Sequence, residues 1–231
     1  MDPQTLVLKL HALSGAVALG AAPVAMLVRK GGRWHRWWGR AFFFAMVLVC
    51  ATALLAGFWR PNPLMALVAL FSFHLAATGY RGLYLKGLHK GQRLGRWDLL
   101  MHGAAGLVNT GLLLWGAVHL IHGQRSSAAI IFTVFGAIGC ALVLMQLRRF
   151  FRTHHDKQEW LYAHMTGFLG SYIATVSAFS AVNLAMIKPM WLQWLWPSLL
   201  GVPLIVGWIR HTRARFDKGE RPRFLGRLRI G

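Results

Sequence analysis

The stretch from Ala41 to Trp59 reads AFFFAMVLVCATALLAGFW and contains no charged residue. A helix needs about 20 apolar residues to cross the hydrocarbon core of a bilayer. No water is available there to satisfy backbone N–H and C=O groups, so a single spanning segment of this kind is helical. The sequence therefore predicts a transmembrane helix here, and the class of protein depends on how many similar stretches accompany it.

Similar apolar stretches recur along the whole chain of 231 residues. We predict seven transmembrane helices, at about residues 5–28, 41–59, 63–84, 97–120, 127–147, 160–187 and 191–209. The predicted fold class is all-α, a polytopic membrane bundle. Residues 1–210 would form one seven-helix transmembrane domain, and residues 211–231 would form a basic tail.

The positions of the basic residues distinguish between two classes of basic protein, those that bind nucleic acid and those that span a membrane. The sequence has 26 Lys and Arg residues against 6 Asp and Glu, yet 56% of its residues are hydrophobic. A nucleic-acid-binding protein carries its basic residues along an otherwise polar face. Here they fall in short segments between the apolar stretches, which argues against a nucleic-acid partner and indicates an integral membrane protein surrounded by lipid.

The same basic residues predict the orientation. In a seven-helix arrangement, 22 of the 26 Lys and Arg residues lie on one side, in segments 29–40, 81–96, 148–157 and 210–231. The other side receives Lys9, Arg60, Arg125 and Lys188. Loops rich in Lys and Arg stay in the cytoplasm, so we predict an external amino terminus and a cytoplasmic carboxyl-terminal tail. Such loops also attract anionic lipid headgroups.

The segment Gly31–Arg40, GGRWHRWWGR, precedes the first quoted stretch and would form the first cytoplasmic loop. Arginine and tryptophan are typical anchors at the boundary between membrane and water. This interpretation accounts for the three arginines and three tryptophans of the segment, but it does not account for His35.

Histidines occur at similar predicted depth on three different helices. With a rise of about 1.5 Å per residue, His74, His102 and His164 lie about 7 to 10 Å from the cytoplasmic boundary. Each shares a helix face with other polar residues, including Asp98 before His102 and Arg81 after His74. Lipid offers no hydrogen bonds to such faces. We therefore predict that the three histidines converge on one pocket, with Asp98 and Arg81 paired at its edge.

Neutral imidazoles bind transition metals, and two of them on facing helices can ligate a b-type haem. We expect His102 and His164 to be such a pair, with a single transition metal on His74, His102 and His164 as the other cofactor hypothesis. A haem in the inner leaflet would suit electron exchange with quinol or a respiratory complex. A single membrane histidine is often a packing residue that bonds a neighbouring helix, and this interpretation stays open for each of them.

Four motifs carry a resemblance to known proteins: HRWWGRAF at 35–42, TGYRGL at 78–83, AHMTGFLGSYIATVSAF at 163–179 and WLWPSLLGVP at 194–203. The chain resembles a widespread family of bacterial multi-spanning inner-membrane proteins catalogued as a domain of unknown function. The resemblance implies seven or eight helices and the bacterial inner membrane, but no established reaction. It singles out His11, His35, Arg36, Arg40, Tyr80, Arg81, His164, Ser171 and Tyr172.

The resemblance gives His35 a second interpretation. With Arg36 and Arg40, it could close the cytoplasmic mouth of the pocket and bind an anionic group such as a haem propionate. Arginine suits carboxylates because its planar fork donates two parallel hydrogen bonds.

Three classes of function are consistent with these features. The histidine pattern favours a membrane redox protein with haem or a metal in the inner leaflet. The first alternative is a non-catalytic assembly factor for a membrane complex, which would pack small residues against partner helices. The second is a small-solute or proton-coupled transporter, in which Asp98, Arg81 and the histidines would form a relay. The small number of acidic residues and the lack of an internal repeat argue against a transporter.

Overall fold

The computed structural model describes residues 2–59 and 61–220. Within these ranges it contains seven long α-helices: α1 (Pro3–Leu27), α2 (Arg33–Trp59), α3 (Pro63–Gly82), α4 (Arg96–Ile121), α5 (Ser127–Leu147), α6 (Glu159–Asn183) and α7 (Met190–Asp217). All seven are long and apolar enough to cross a membrane. The predicted fold class, an all-α polytopic bundle with seven spans, is confirmed.

Side chains cap the amino-terminal ends of three helices. Asp2 accepts a hydrogen bond from the backbone N–H of Thr5 at the start of α1. Asn62 and Ser126 do the same for α3 and α5, each across 3.1 Å. The first backbone N–H groups of a helix have no partner within the helix, so these polar residues determine where the apolar segments begin to be helical.

Helix boundaries differ from the predicted ones where polar residues continue a helix beyond the apolar core. Helix α2 begins at Arg33 rather than at residue 41, so most of GGRWHRWWGR is helical. Helix α7 continues to Asp217, which makes the first part of the predicted tail helical, while residues 221–231 of that tail lie outside the described residues. Counting apolar residues measures the hydrocarbon core, whereas a helix can extend through the headgroup region.

The helices pack mainly in pairs: α1 on α2, α4 on α5, α3 on α6 and α6 on α7. The contact between α3 and α6 depends on glycine. A Cβ atom on Gly167 would collide with the backbone of Gly79, and one on Gly79 would collide with the side chain of Phe168. Small residues let the backbones of two membrane helices approach closely, and this approach brings a carbonyl of α3 within reach of α6.

The loops rich in basic residues meet at one end of the bundle. Lys86, after α3, lies 4.9 Å over the ring of Trp160 at the start of α6. Arg213, near the end of α7, lies 3.8 Å from Asp156 before α6. We call this end, formed by residues 28–32, 83–95, 148–158 and the last turns of α7, the basic end. The described parts of the four segments that were predicted to share one side of the membrane thus share one end of the structure.

Candidate functional site

A cavity of about 490 Å³ opens at the basic end between α1, α2, α3, α6 and α7. We call it the histidine cavity because His35 and His164 both line it. Four basic side chains also line it, namely Lys30, Arg36, Arg40 and Lys86, and within the described ranges none of its lining residues is acidic. Its volume is in the range of ligand and cofactor sites.

His35 lies in the first turns of α2, where its Nδ1 atom is 2.9 Å from the carbonyl oxygen of Ala25 in the last turn of α1. Carbonyls in the last turn of a helix lack a partner within that helix. Because a carbonyl only accepts hydrogen bonds, Nδ1 of His35 carries the proton. In the neutral ring Nε2 is then left with its lone pair.

His164 lies in the second turn of α6 and has the same tautomer for the same reason. Its Nδ1 atom is 3.1 Å from the carbonyl oxygen of Gly79 on α3. The close contact of Gly79 with Gly167 holds this carbonyl against α6. Nε2 of His164 is therefore also the nitrogen with a lone pair.

The rings of His35 and His164 lie with their centroids 6.3 Å apart and their planes at 79°. A metal ion bound to two imidazole nitrogens, each at about 2 Å, separates the ring centroids by about 6 Å when the ligands are opposite one another. Hydrogen bonds that fix the other ring nitrogen are the usual support of histidine ligands. The centroid separation of His35 and His164 is close to that value, and each ring has its Nδ1 atom tied to a backbone carbonyl.

Aromatic side chains form much of the remaining wall. Phe168 packs against His164 with ring centroids 4.8 Å apart and against Phe42 at 5.6 Å. Tyr80 stacks on Phe43, with centroids 4.2 Å apart. The cavity thus combines an aromatic, apolar wall with basic side chains, which suits an apolar molecule that carries acidic groups.

The basic residues at the opening are held by backbone carbonyls. The ammonium group of Lys30 donates to the carbonyl of Met26 and so caps the carboxyl-terminal end of α1. Burial lowers the pKa of Lys30, which lies in the turn between α1 and α2. Nη1 of Arg36 donates to the carbonyl of Gly31 across 3.2 Å. These bonds hold positive charge beside the two histidines.

A second pair of histidines lies between α3 and α4. Nε2 of His74 is 3.0 Å from Nδ1 of His102, and both residues are 5% exposed. One turn before His102, the carboxylate of Asp98 accepts two hydrogen bonds from the guanidinium of Arg81, at 2.5 and 2.8 Å. It also accepts one from the backbone N–H of Gly95, across 2.8 Å. Arg81 is the partner expected for Asp98.

The expected convergence of three histidines is not found. His164 lines the histidine cavity, and the pair His74 and His102 does not. Among the residues that the structure describes, no three His, Cys, Asp or Glu side chains are grouped to hold a metal ion, so the three-histidine site is not formed. His102 contacts His74, and His164 contacts the carbonyl of Gly79, so the pairing of His102 with His164 stays a prediction. Depth and helical phase give the level and direction of a side chain, but they do not say which helix it meets.

Six of the nine residues that the resemblance singles out line the histidine cavity: His35, Arg36, Arg40, Tyr80, His164 and Tyr172. The other three lie elsewhere. Ser171 is buried and donates to the carbonyl of Ser72 across 3.2 Å. Nδ1 of His11 lies 3.1 Å from both the carbonyl of Val49 and the hydroxyl of Thr52 on α2. Arg81 pairs with Asp98.

The fold and this cavity define an integral multi-pass membrane protein with a basic, histidine-lined site at one end of its bundle. No family model, curated protein or solved structure matches the chain. The resemblance to the bacterial family therefore rests on its motifs alone.

Proposed function

We propose that the protein is a membrane redox protein that binds a b-type haem in the histidine cavity, with His35 and His164 as the two axial ligands. The observation that carries this proposal is the spacing of the two rings, 6.3 Å between centroids, with each Nδ1 tied to a backbone carbonyl. Such a haem supplies one-electron transfer, with a potential that depends on its ligands and surroundings.

Haem is favoured over a single metal ion because of the number of ligands. Structural zinc sites use four protein ligands and catalytic ones use three. The cavity offers two histidines, and in the described part of the chain no third His, Cys, Asp or Glu joins them. A haem iron already has four porphyrin nitrogens and needs at most two ligands from the protein, which is the number available.

The walls and the opening of the cavity support the same proposal. The flat faces of Phe42, Phe168 and Tyr172 suit a porphyrin ring. Arg36 and Arg40 at the opening suit its propionates, because guanidinium groups bind carboxylates through two parallel hydrogen bonds.

The basic end faces the cytoplasm in this proposal, and the amino terminus lies outside, because loops rich in Lys and Arg are retained on the cytoplasmic side. The membrane is the inner membrane of a bacterium, as the resemblance implies. The histidine cavity then lies in the cytoplasmic leaflet, where a quinone or a respiratory complex could exchange electrons with it.

The test is the absorption spectrum of the full-length protein purified from membranes of cells supplied with haem precursor. We expect a Soret band in the wild type and its loss in His35→Ala and in His164→Ala. His11→Ala is the matched control, because His11 lies in another part of the bundle, and it should keep the band. Added imidazole should restore the band in His164→Ala, which separates a lost ligand from a misfolded protein.

A colourless wild-type protein without stoichiometric iron would overturn the proposal. Stoichiometric copper or zinc without a Soret band would replace haem by a single metal ion on the same two histidines. If neither haem nor metal is bound, the non-catalytic assembly factor becomes the better hypothesis.

A further inference from the structure

A second cavity at the basic end, about 450 Å³ in volume, shares no lining residue with the histidine cavity. It lies between the segment 88–94, which follows α3, and the segment 149–155, which follows α5. A short 3₁₀ turn lies at the start of each segment, at Leu88–Lys90 and at Arg148–Phe151. We call this second space the arginine cavity.

Six of its twelve lining residues are arginine or histidine: His89, Arg93, Arg149, Arg152, His154 and His155. None of the twelve is acidic. The nearby carboxylate of Glu159 accepts hydrogen bonds from Nε of Arg149 at 2.9 Å and from Nδ1 of His155 at 2.8 Å. Within residues 2–59 and 61–220, Arg93 and Arg152 are in no ion pair. The cavity therefore keeps an excess of positive charge after Glu159 is counted.

Arg149 distinguishes this cavity from an ordinary basic surface. Its side chain is only 7% exposed, and two of its nitrogens are fixed by Glu159 and by Gln146, the latter across 2.8 Å. Its third nitrogen, Nη2, is buried and has no hydrogen-bond partner among the described residues. Burying a charged donor without an acceptor is unfavourable. Arg149 lines the arginine cavity, and a ligand oxygen that reached this nitrogen from the cavity would remove that cost.

We propose that the arginine cavity binds a phosphate group, with Arg149 as a fixed donor in its wall and Arg93 and Arg152 as exposed donors. Guanidinium groups bind phosphate oxygens through paired, charge-assisted hydrogen bonds. The hydroxyl of Thr153, which also lines the cavity, adds a further donor. The phosphate comes from an anionic lipid headgroup or from a phosphate compound in the water phase, since the cavity lies where the helices leave the membrane.

The test compares the full-length double variant Arg93→Gln/Arg152→Gln with a control of equal charge, Lys9→Gln/Arg125→Gln, which removes two basic residues from the opposite end. Both replaced arginines are exposed, so the double variant should fold. In one arm, inorganic phosphate is titrated into detergent-solubilised protein and the melting temperature is measured. In the other, protein in phosphatidylcholine nanodiscs, with or without phosphatidylglycerol, is examined for retained lipid by native mass spectrometry.

In one of the two arms, we expect the wild type and the control to bind the phosphate group at least about tenfold more tightly than the double variant does. A difference in the first arm assigns the site to free phosphate, and a difference in the second assigns it to lipid headgroups. The proposal is overturned if the double variant and the control behave alike in both arms, because binding would then follow total charge. It does not depend on haem binding, so a colourless protein would leave it standing.

Discussion

His35 and His164 lie next to one another in the wall of the histidine cavity, with ring centroids 6.3 Å apart and ring planes at 79°, and each is held by a carbonyl from a different helix. Ala25 of α1 holds His35 of α2, and Gly79 of α3 holds His164 of α6. Four helices thus determine the geometry of the pair. The two rings keep their spacing only while α1 packs on α2 and α3 packs on α6, which makes the site sensitive to changes in helix packing far from the histidines.

The contact of Gly167 with Gly79 provides a test of this dependence. Gly167→Ala should destabilise the protein by about 1 to 3 kcal/mol or more, because the added Cβ collides with backbone that cannot move aside as a side chain does. It should also weaken the hydrogen bond from His164 to Gly79. SDS-induced unfolding in mixed micelles measures the stability.

Gly103→Ala is the control for that substitution, because a Cβ on Gly103 would meet no atom within 4 Å. It should leave stability unchanged or raise it slightly, since alanine is the better helix former. Equal behaviour of the two variants would refute the close packing of α3 and α6.

The pair His74 and His102 is expected to be structural and separate from the proposed haem. His102→Ala leaves Nε2 of His74 without its partner at 3.0 Å, and we expect a loss of about 1 kcal/mol of stability. If haem is bound, the Soret band should stay, whereas His164→Ala removes it. Loss of the band in His102→Ala, with a folded protein, would mean that His102 is an axial ligand after all.

The ion pair of Arg81 and Asp98 can be measured by a double-mutant cycle. Asp98→Asn keeps an acceptor for the N–H of Gly95 but loses the charge that pairs with Arg81. We expect the free energy of unfolding to fall by about 1 to 3 kcal/mol. The double variant Arg81→Gln/Asp98→Asn should lose less stability than the two single variants lose together, because each single change leaves the other group unpaired. Strict additivity would show that the two groups do not interact.

The orientation can be tested by cysteine labelling from outside the membrane. Lys90→Cys lies at the basic end, and Gln124→Cys lies in the turn between α4 and α5 at the opposite end. A membrane-impermeant maleimide should label position 124 in intact spheroplasts and position 90 only after the membrane is opened. The opposite pattern would place the basic end outside the cell and contradict the proposed direction of the bundle.

The parts of this protein that could be predicted from sequence are those that depend on local composition. The stretch Ala41–Trp59 and its six counterparts are long and apolar enough to span a bilayer by themselves, so the number of spans follows from counting. The clustering of basic loops at one end follows from the same count, because consecutive spans alternate in direction. The pairing of Asp98 with Arg81 was also predictable, since a buried carboxylate on a membrane helix requires a partner.

Only the tertiary structure decided which histidines meet. His74, His102 and His164 lie at similar predicted depth, but depth is a property of one helix, whereas contact depends on which helices are neighbours. The glycine contact of α3 with α6 brings His164 to the carbonyl of Gly79 and towards α2, while His74 meets His102 on α4. His35 was assigned to a loop because its surroundings are charged and aromatic. The helix nevertheless begins at Arg33 and holds that ring next to His164, since backbone hydrogen bonding continues past the end of the apolar sequence.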